Sequence, residues 1–212
     1  LMLATCQGYL NHREELKVAA TDESHEDVLQ FPLASISTPV LIDNIFYEFD
    51  RADLTKASEI ELDKLVALLN ENPHVTIELS SHCDYKGSAE YNKRLSQRRA
   101  ESVVNYLIAH GIAADRLTPM GYGKERPKKI KKKVAEKYPW LKVDDELTPD
   151  FIKALKNPEK EEICNSLNRR TEFTVLRTTY GLFDENGNLK AQPKPAKKPE
   201  SSSDDVDFEF YE

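Results

Sequence analysis

Two spacings of apolar residues in the middle of the chain predict two kinds of element. Val75, Ile77 and Leu79 alternate with polar residues, which is the period of a half-buried β-strand. Apolar residues recur at helical spacing over residues 55–70 and again over residues 88–109. We therefore expect two amphipathic helices, with Thr55 as the N-cap of the first and Gly111 in the left-handed turn after the second.

Further segments complete the predicted fold. Residues 40–47, 116–123 and 171–176 have the patterns of strands, and residues 149–155 that of a short helix. Strands that alternate with helices of this length need crossover connections, so at least one pair of strands should be parallel. The predicted fold class is α/β, an α+β two-layer sandwich with a βαβαβ(α)β core and its helices on one face of a small mixed sheet.

Composition divides the 212 residues into three parts. We interpret residues 1–39 as two short strands from a preceding β-sandwich-like domain, followed by an acidic linker. Residues 40–180 form the main domain, and residues 124–165 are an insertion in which basic and acidic runs flank an apolar island. A Lys/Pro tract and an SSSDD run predict a disordered tail over residues 181–212.

Charge and cysteine content narrow the function classes. The net charge of −7 argues against general nucleic-acid binding, and no apolar run reaches the about 20 residues that cross a bilayer. The cysteines are Cys6, Cys83 and Cys164, and an odd number cannot be fully paired. A bridge between Cys83 and Cys164 stays open, and so does a loose lipobox at Cys6, which Thr5 fits poorly. Because the chain begins at Leu1, we expect it to be a piece of something longer.

The stretch 80–100 carries the candidate chemistry. Asp84 follows a strand end, and Arg99 lies about three turns into the next helix, which can bring it back alongside that strand. An Asp accepts hydrogen bonds from an ammonium group, and an Arg fork grips a carboxylate. We expect a two-point clamp for a zwitterionic ligand. The alternative, that Asp84 and Arg99 only pair with each other, stays open.

Other polar residues near this stretch are candidate ligands. Asn92 shares a helix face with Arg99, and Asn168 to Arg170 supply further donors before the last strand. His82 and Cys83 are adjacent on a strand and point to opposite faces, so His82 cannot readily serve Cys83 as a base. We expect no metal and no cofactor, and a buried, hydrogen-bonded His82.

These motifs closely resemble the OmpA-like C-terminal domain, whose pattern reads GHTD, GS, YN, LS and RA. The resemblance covers about residues 40–176 in the right order. The matching residues are His82, Asp84, Gly87, Ser88, Tyr91, Asn92, Leu95, Ser96, Arg99 and Ala100, then Gly121, Tyr122, Gly123, Asn168, Arg169, Arg170, Glu172 and Phe173, while Ser81 and Cys83 stand at the two remaining positions of the first motif.

The resemblance implies non-enzymatic binding of peptidoglycan in the periplasm of a Gram-negative bacterium, in association with the outer membrane. The ligand would be the diaminopimelate of the stem peptide, with its ammonium on Asp84 and its carboxylate on Arg99. Asp50, Asn92 and Arg169 occupy other positions that the family uses at the groove.

The chain departs from the family pattern in three places. Cys83 replaces the usual Thr, Ser81 replaces the usual Gly, and the segment after Gly123 is longer. The long insertion and the N-terminal fragment resemble multidomain envelope proteins that anchor the type IX secretion system of Bacteroidetes-type bacteria. The expected partners are therefore peptidoglycan and envelope or secretion-system proteins. A structural interaction module that uses the insertion and a wall-modifying hydrolase are the alternatives.

Overall fold

The computed structural model describes residues 2–15, 30–31, 33–42, 45, 54–184 and 186–190. Asp50, most of the predicted linker, most of residues 43–47 and the tail beyond residue 190 lie outside the described residues. None of the helices in the part that is described is both long and apolar enough to cross a membrane.

The two predicted amphipathic helices are confirmed. Helix α1 spans Lys56–Glu71, and the Thr55 side chain accepts a hydrogen bond from the backbone N–H of Ser58. Helix α2 spans Ala89–Ala109, and Ser88 caps it by accepting from the N–H of Tyr91. Gly111 has the predicted left-handed conformation, with φ of 90°.

The predicted mixed sheet is also confirmed. Strands β3 (Val40–Ile42), β4 (Thr76–His82), β5 (Leu117–Gly123) and β6 (Thr171–Arg177) lie in the order β3-β6-β4-β5. The β4–α2–β5 unit is the expected crossover, and its two strands are parallel. β6 pairs antiparallel with both β3 and β4.

One face of the sheet forms the main core with α1 and α2. Ile77 and Leu79 from β4 pack there with apolar residues of both helices, such as Leu62 and Leu107. Gly121 in β5 lets α2 lie directly on the strand, because a Cβ at that position would collide with the backbone of Gln97. The helices therefore lie on one face of the sheet, as predicted for the fold class.

The insertion forms a second core of its own. Helices α3 (Lys132–Lys137), α4 (Pro149–Ala154) and α5 (Pro158–Asn168) surround buried residues such as Leu147 and Ile152. The predicted short helix is α4, whereas α3 and α5 were not predicted. Tyr85, beside the candidate Asp84, packs against this second core.

The N-terminal segment contains the predicted hairpin. Strands β1 (Met2–Ala4) and β2 (His12–Glu14) pair antiparallel. Leu10 lies in the main core, and the Asn72 amide at the end of α1 exchanges two hydrogen bonds with the backbone of Asn11, at 2.8 and 2.9 Å. The assignment of residues 1–39 to a preceding domain stays a prediction.

At the start of the predicted disordered tail, residues 182–184 and 186–190 contain backbone hydrogen bonds. The N–H of Lys190 donates to the carbonyl of Leu182 at 2.8 Å, and the N–H of Gly187 donates to Asp184. The disorder predicted for residues 181–212 stays a prediction.

Candidate functional site

The candidate site lies where β4 ends and the chain turns into α2. The N–H of His82 donates to the carbonyl of Arg170 at 2.9 Å, and the N–H of Cys83 donates to that of Gly123 at 2.8 Å. The end of β4 is therefore held between the end of β5 and the residues just before β6. Side chains from three separate parts of the sequence meet at this corner.

Asn92 fixes the loop that carries Asp84. Its side-chain amide donates to the carbonyl of Lys86 at 2.7 Å and, more weakly, to that of Asp84 at 3.5 Å. Only 4% of Asn92 is exposed, and Gly87 takes the left-handed φ of 87° that the turn requires. Asn92 was predicted as a ligand residue, and here its amide nitrogen is directed to the loop.

Asp84 is held in place and keeps capacity for another partner. Its Oδ1 accepts from the backbone N–H of Lys86 at 3.0 Å, and its Oδ2 accepts from Nη1 of Arg169 at 2.6 Å. Its side chain is 14% exposed. A carboxylate has about four lone-pair positions, so these two bonds leave room for an ammonium group.

Arg169 joins two carboxylates. Its Nη1 donates to Asp84, and its Nη2 donates to Oε1 of Glu162 at 2.6 Å. Burial opposes the charged form of Arg169, but the hydrogen bonds to Glu162 and Asp84 outweigh it and raise its pKa. The hydrogen bond from Arg169 also lowers the pKa of Glu162. Lys86 adds a second cation, with its Nζ 3.4 Å from Glu162.

Arg99, on α2, contributes a positive charge to the same corner. It lies two helical turns after Asn92, on the same face, and is half-buried. Burial raises the pKa of the Cys83 thiol, while the charges of Arg99 and Arg169 lower it and that of Asp84 raises it. All three charges therefore lie within electrostatic reach of one sulfur atom. Arg169 is a cation that donates to Asp84, at 2.6 Å, and the alternative of a direct Asp84–Arg99 pair stays open.

Two sequence predictions about neighbouring residues have different outcomes. Arg98 is exposed on α2, as expected of a surface residue. His82 is buried, as predicted, but neither of its ring nitrogens has a hydrogen-bond partner within the described part of the chain. The expected hydrogen bonds are therefore not formed: the ring stacks on Tyr122, with centroids 5.4 Å apart, and its Nε2 lies 3.7 Å from Oε2 of Glu172, beyond hydrogen-bond distance.

The cysteines do not form a reactive pair. Cys6, Cys83 and Cys164 are all free, and both Cys83 and Cys164 are buried. Burial raises the pKa of Cys164 to about 11, so both buried thiols stay protonated at neutral pH. The residues that the structure describes include no group of three or more His, Cys, Asp or Glu side chains placed to hold a metal ion.

Comparison with known proteins identifies the stretch that holds most of this corner. Residues 46–138 match the model of the OmpA family. The predicted resemblance is confirmed for this part of the chain. The match includes Asp84, Asn92 and Arg99, and it ends before Glu162 and Arg169.

Several of the curated relatives are named "Peptidoglycan-associated lipoprotein". The one from Rhizobium meliloti is 33% identical over 85 residues, which is 40% of this chain and 48% of that protein. The one from Haemophilus influenzae is 36% identical over 83 residues, which is 39% of this chain and 54% of that protein. The match therefore spans about half the length of these relatives.

The solved structures that resemble this chain include the peptidoglycan-associated lipoprotein from Burkholderia pseudomallei. It is 21% identical, with a TM-score of 0.44, over 62% of this chain and 87% of that one. The cell wall anchor of the type VI secretion system from Pseudomonas aeruginosa is 20% identical, with a TM-score of 0.44, over 66% and 79% of the two chains. Both similarities are too low to carry an argument about function.

Sequence reasoning missed Glu162 and Lys86. Glu162 lies seven residues before Arg169, a spacing that places two residues on one face of a helix. This spacing is informative only if the segment is a helix. Asn157 followed by Pro158 is a helix start signal that could have predicted α5. Lys86 had no signal beyond its place next to Asp84 in the loop.

Proposed function

We propose that this chain binds peptidoglycan through the zwitterionic end group of diaminopimelate in the stem peptide. Asp84 accepts from the ammonium group, and Arg99 and Arg169 receive the carboxylate. The observation that carries the proposal is the convergence of these charges at the end of β4, with Asp84 and Arg169 2.6 Å apart. Similarity to proteins named for their association with peptidoglycan supports the choice of ligand.

The chemistry of the corner suits an ammonium and a carboxylate on one carbon atom. Asp84 is fixed by two hydrogen bonds and keeps unused acceptor positions, so an ammonium can approach it without disturbing the loop. A charge-assisted hydrogen bond contributes about 1.5–3 kcal/mol net. A few such bonds would give reversible binding of modest strength, which suits an anchor that holds on to many identical sites.

Binding without catalysis is the proposed activity. A cysteine hydrolase needs a thiolate, and the Cys83 thiol is buried with a raised pKa. Burial, followed by the charge of Arg170, lowers the pKa of His82 to about 3, so its ring is neutral and enclosed. Neither group has the exposure that an attacking residue requires.

Co-sedimentation with purified diaminopimelate-type peptidoglycan tests the proposal. The variants Asp84→Ala and Arg99→Ala should remain in the supernatant, whereas the wild type should sediment with the wall. Arg98→Ala is the matched control, because Arg98 is an exposed cation on the same helix as Arg99. Circular dichroism must show that each variant is folded. Sedimentation of folded Asp84→Ala and Arg99→Ala like the wild type would refute the proposed site.

The assembly that would be anchored is a second part of the proposal. The insertion has its own buried core, so it presents a folded surface beside the wall-binding corner. We propose that this surface contacts an outer-membrane or secretion-system protein in the periplasm, with a type IX system as the specific candidate. Replacing exposed Lys132 and Lys133 with Glu should reduce co-purification of that partner and leave wall binding intact. Unchanged co-purification would remove this surface from consideration.

A further inference from the structure

Glu162 already places a carboxylate where the proposed ligand would bring one. It comes from α5 in the insertion, and its Oε1 lies 2.6 Å from Nη2 of Arg169. The other terminal nitrogen of Arg169 is bonded to Asp84 at 2.6 Å. A guanidinium grips a carboxylate best when both of its parallel donors face the same group. Here the two donors are divided between two acidic residues.

The two carboxylates on Arg169 are not equally easy to displace. Asp84 is 14% exposed and also accepts from the backbone of Lys86. Glu162 is 56% exposed, and it also accepts from the flexible Nζ of Lys86 at 3.4 Å. Exposed ion pairs contribute only about 0.2–1 kcal/mol, so Glu162 is the partner that an incoming carboxylate can replace.

Displacement would release more than one cation. Lys86 lies in the loop directly after Asp84, and it pairs with the same Glu162 carboxylate. Once Glu162 moves away, the Nη2 donor of Arg169 and the ammonium of Lys86 both face the corner. An incoming carboxylate would then meet two cations that Glu162 had neutralised.

We propose that Glu162 is an internal competitor of the ligand carboxylate, carried by the insertion and seated on Arg169 when the site is empty. This inference rests on the proposed function. It gives the insertion a role at the wall-binding corner itself, because α5 sets how tightly the site binds. Binding and release of the ligand are then coupled to the position of α5.

Calorimetric titration with a soluble diaminopimelate-containing peptide tests the competition. Glu162→Gln should bind about two- to fivefold more tightly than the wild type, because the exposed ion pair no longer opposes the ligand. Glu159→Gln is the matched control, since it removes the same charge from an exposed position on α5 and should bind as the wild type does. Unchanged or weaker binding by Glu162→Gln would overturn the inference.

Asp84→Ala in the same titration separates the inference from the function on which it rests. If Asp84→Ala binds like the wild type, or if no variant binds, the proposed function fails and the competition fails with it. If Asp84→Ala loses binding while Glu162→Gln gains none, the binding site stands and the role of Glu162 is wrong.

A second readout follows the Glu162 carboxyl group by nuclear magnetic resonance. In the free protein its pKa is lowered, first by the hydrogen bond from Arg169. Saturating peptide should return that pKa toward the ordinary value, because Arg169 would bond to the ligand instead. A Glu162 pKa that stays low in the saturated complex would overturn the inference, whatever the affinities are.

Discussion

The corner between β4 and α2 and the insertion between β5 and β6 contribute opposing groups to one site. The corner supplies Asp84 and Arg99 from a stretch that matches the OmpA family, and Asn92 fixes the loop between them. The insertion supplies Glu162, which lies beyond the matched stretch. The Glu162 carboxylate accepts a hydrogen bond from Arg169. Under the proposed function, the corner would supply the groups that bind the ligand, and the insertion would supply the carboxylate that competes with it.

The two regions also have separate hydrophobic cores, and a substitution can destabilise either one. Leu79 is fully buried in the main core and Leu147 in the second core. Either Leu→Ala change should cost about 2–5 kcal/mol in the region that contains it. Hydrogen exchange should show Leu79→Ala weakening β4 and α2, and Leu147→Ala weakening α4 and α5 but sparing β4. Equal weakening of both regions by Leu147→Ala would show that they unfold as one unit.

A glycine in the main core gives the next largest effect. In Gly121→Ala, the new Cβ would meet the backbone of Gln97, so α2 must move away from β5, at a cost of about 3 kcal/mol. Gly111→Ala is the control, because no atom lies within 4 Å of its Cβ position and only the strain of φ at 90° remains. That strain costs about 1–2 kcal/mol. Urea unfolding measures both, and an equal loss in the two variants would contradict the close packing of α2 on β5.

The buried His82 predicts a pH effect on the main domain. Its pKa is lowered from 6.5 to about 3, mainly by burial. The unfolded chain binds a proton near pH 6.5 and the folded chain only near pH 3, so stability is lost as the pH falls between these values. At about 1.4 kcal/mol per pKa unit, the loss between pH 6.5 and 5 is about 2 kcal/mol.

His82→Phe isolates this contribution, because it keeps a ring against Tyr122 and removes the titrating group. Urea unfolding at pH 7 and pH 5 should show the wild type losing about 2 kcal/mol more than the variant. Identical losses in the two proteins would mean that His82 is not neutral and buried in solution.

The smallest effect is expected at the exposed ion pair between the two regions. Lys86 and Glu162 are 61% and 56% exposed, so Lys86→Gln should change the free energy of unfolding by less than about 0.5 kcal/mol at physiological salt. Lys132→Gln, on the surface of the insertion, is the control. A larger loss in Lys86→Gln, measured by urea unfolding, would show that this pair holds the insertion to the corner.

The main domain could be predicted from local patterns, because its signals are strong and short-range. Alternation in β4 and helical spacing in α1 and α2 predicted all three elements, and Thr55 and Gly111 predicted their ends. Gly121 and Gly123 flank Tyr122, and glycines in such a position are typical of a close approach or an unusual backbone. Gly121 shows the first, and Gly123, with φ of 51°, shows the second.

The insertion was harder to predict for physical reasons. α3 has six residues, most of them charged, and packs only partly buried apolar side chains into the second core. The residues that α5 buries are Cys164, Asn165 and Asn168, two of which are polar, so no apolar helical period marked this helix in the sequence. Helices of this kind are stabilised by tertiary packing, which one sequence does not display.

The site was predictable only in part. Asp84, Asn92 and Arg99 followed from one continuous stretch, whereas the bond between Asp84 and Arg169 joins residues 85 positions apart. The contact of Arg169 with Asp84 depends on where β6 begins relative to the end of β4, which sequence spacing alone does not determine. Asp50 lies outside the described residues, and its role at the groove stays a prediction.

The central claim is that the corner recognises both charges of diaminopimelate. The most direct measurement is calorimetric titration of the wild type with two peptides that differ only in having diaminopimelate or lysine, since lysine keeps the ammonium and lacks the second carboxylate. Loss of the charge-assisted bonds to Arg99 and Arg169 should weaken binding of the lysine peptide by about tenfold or more. Equal affinity for the two peptides would contradict the account.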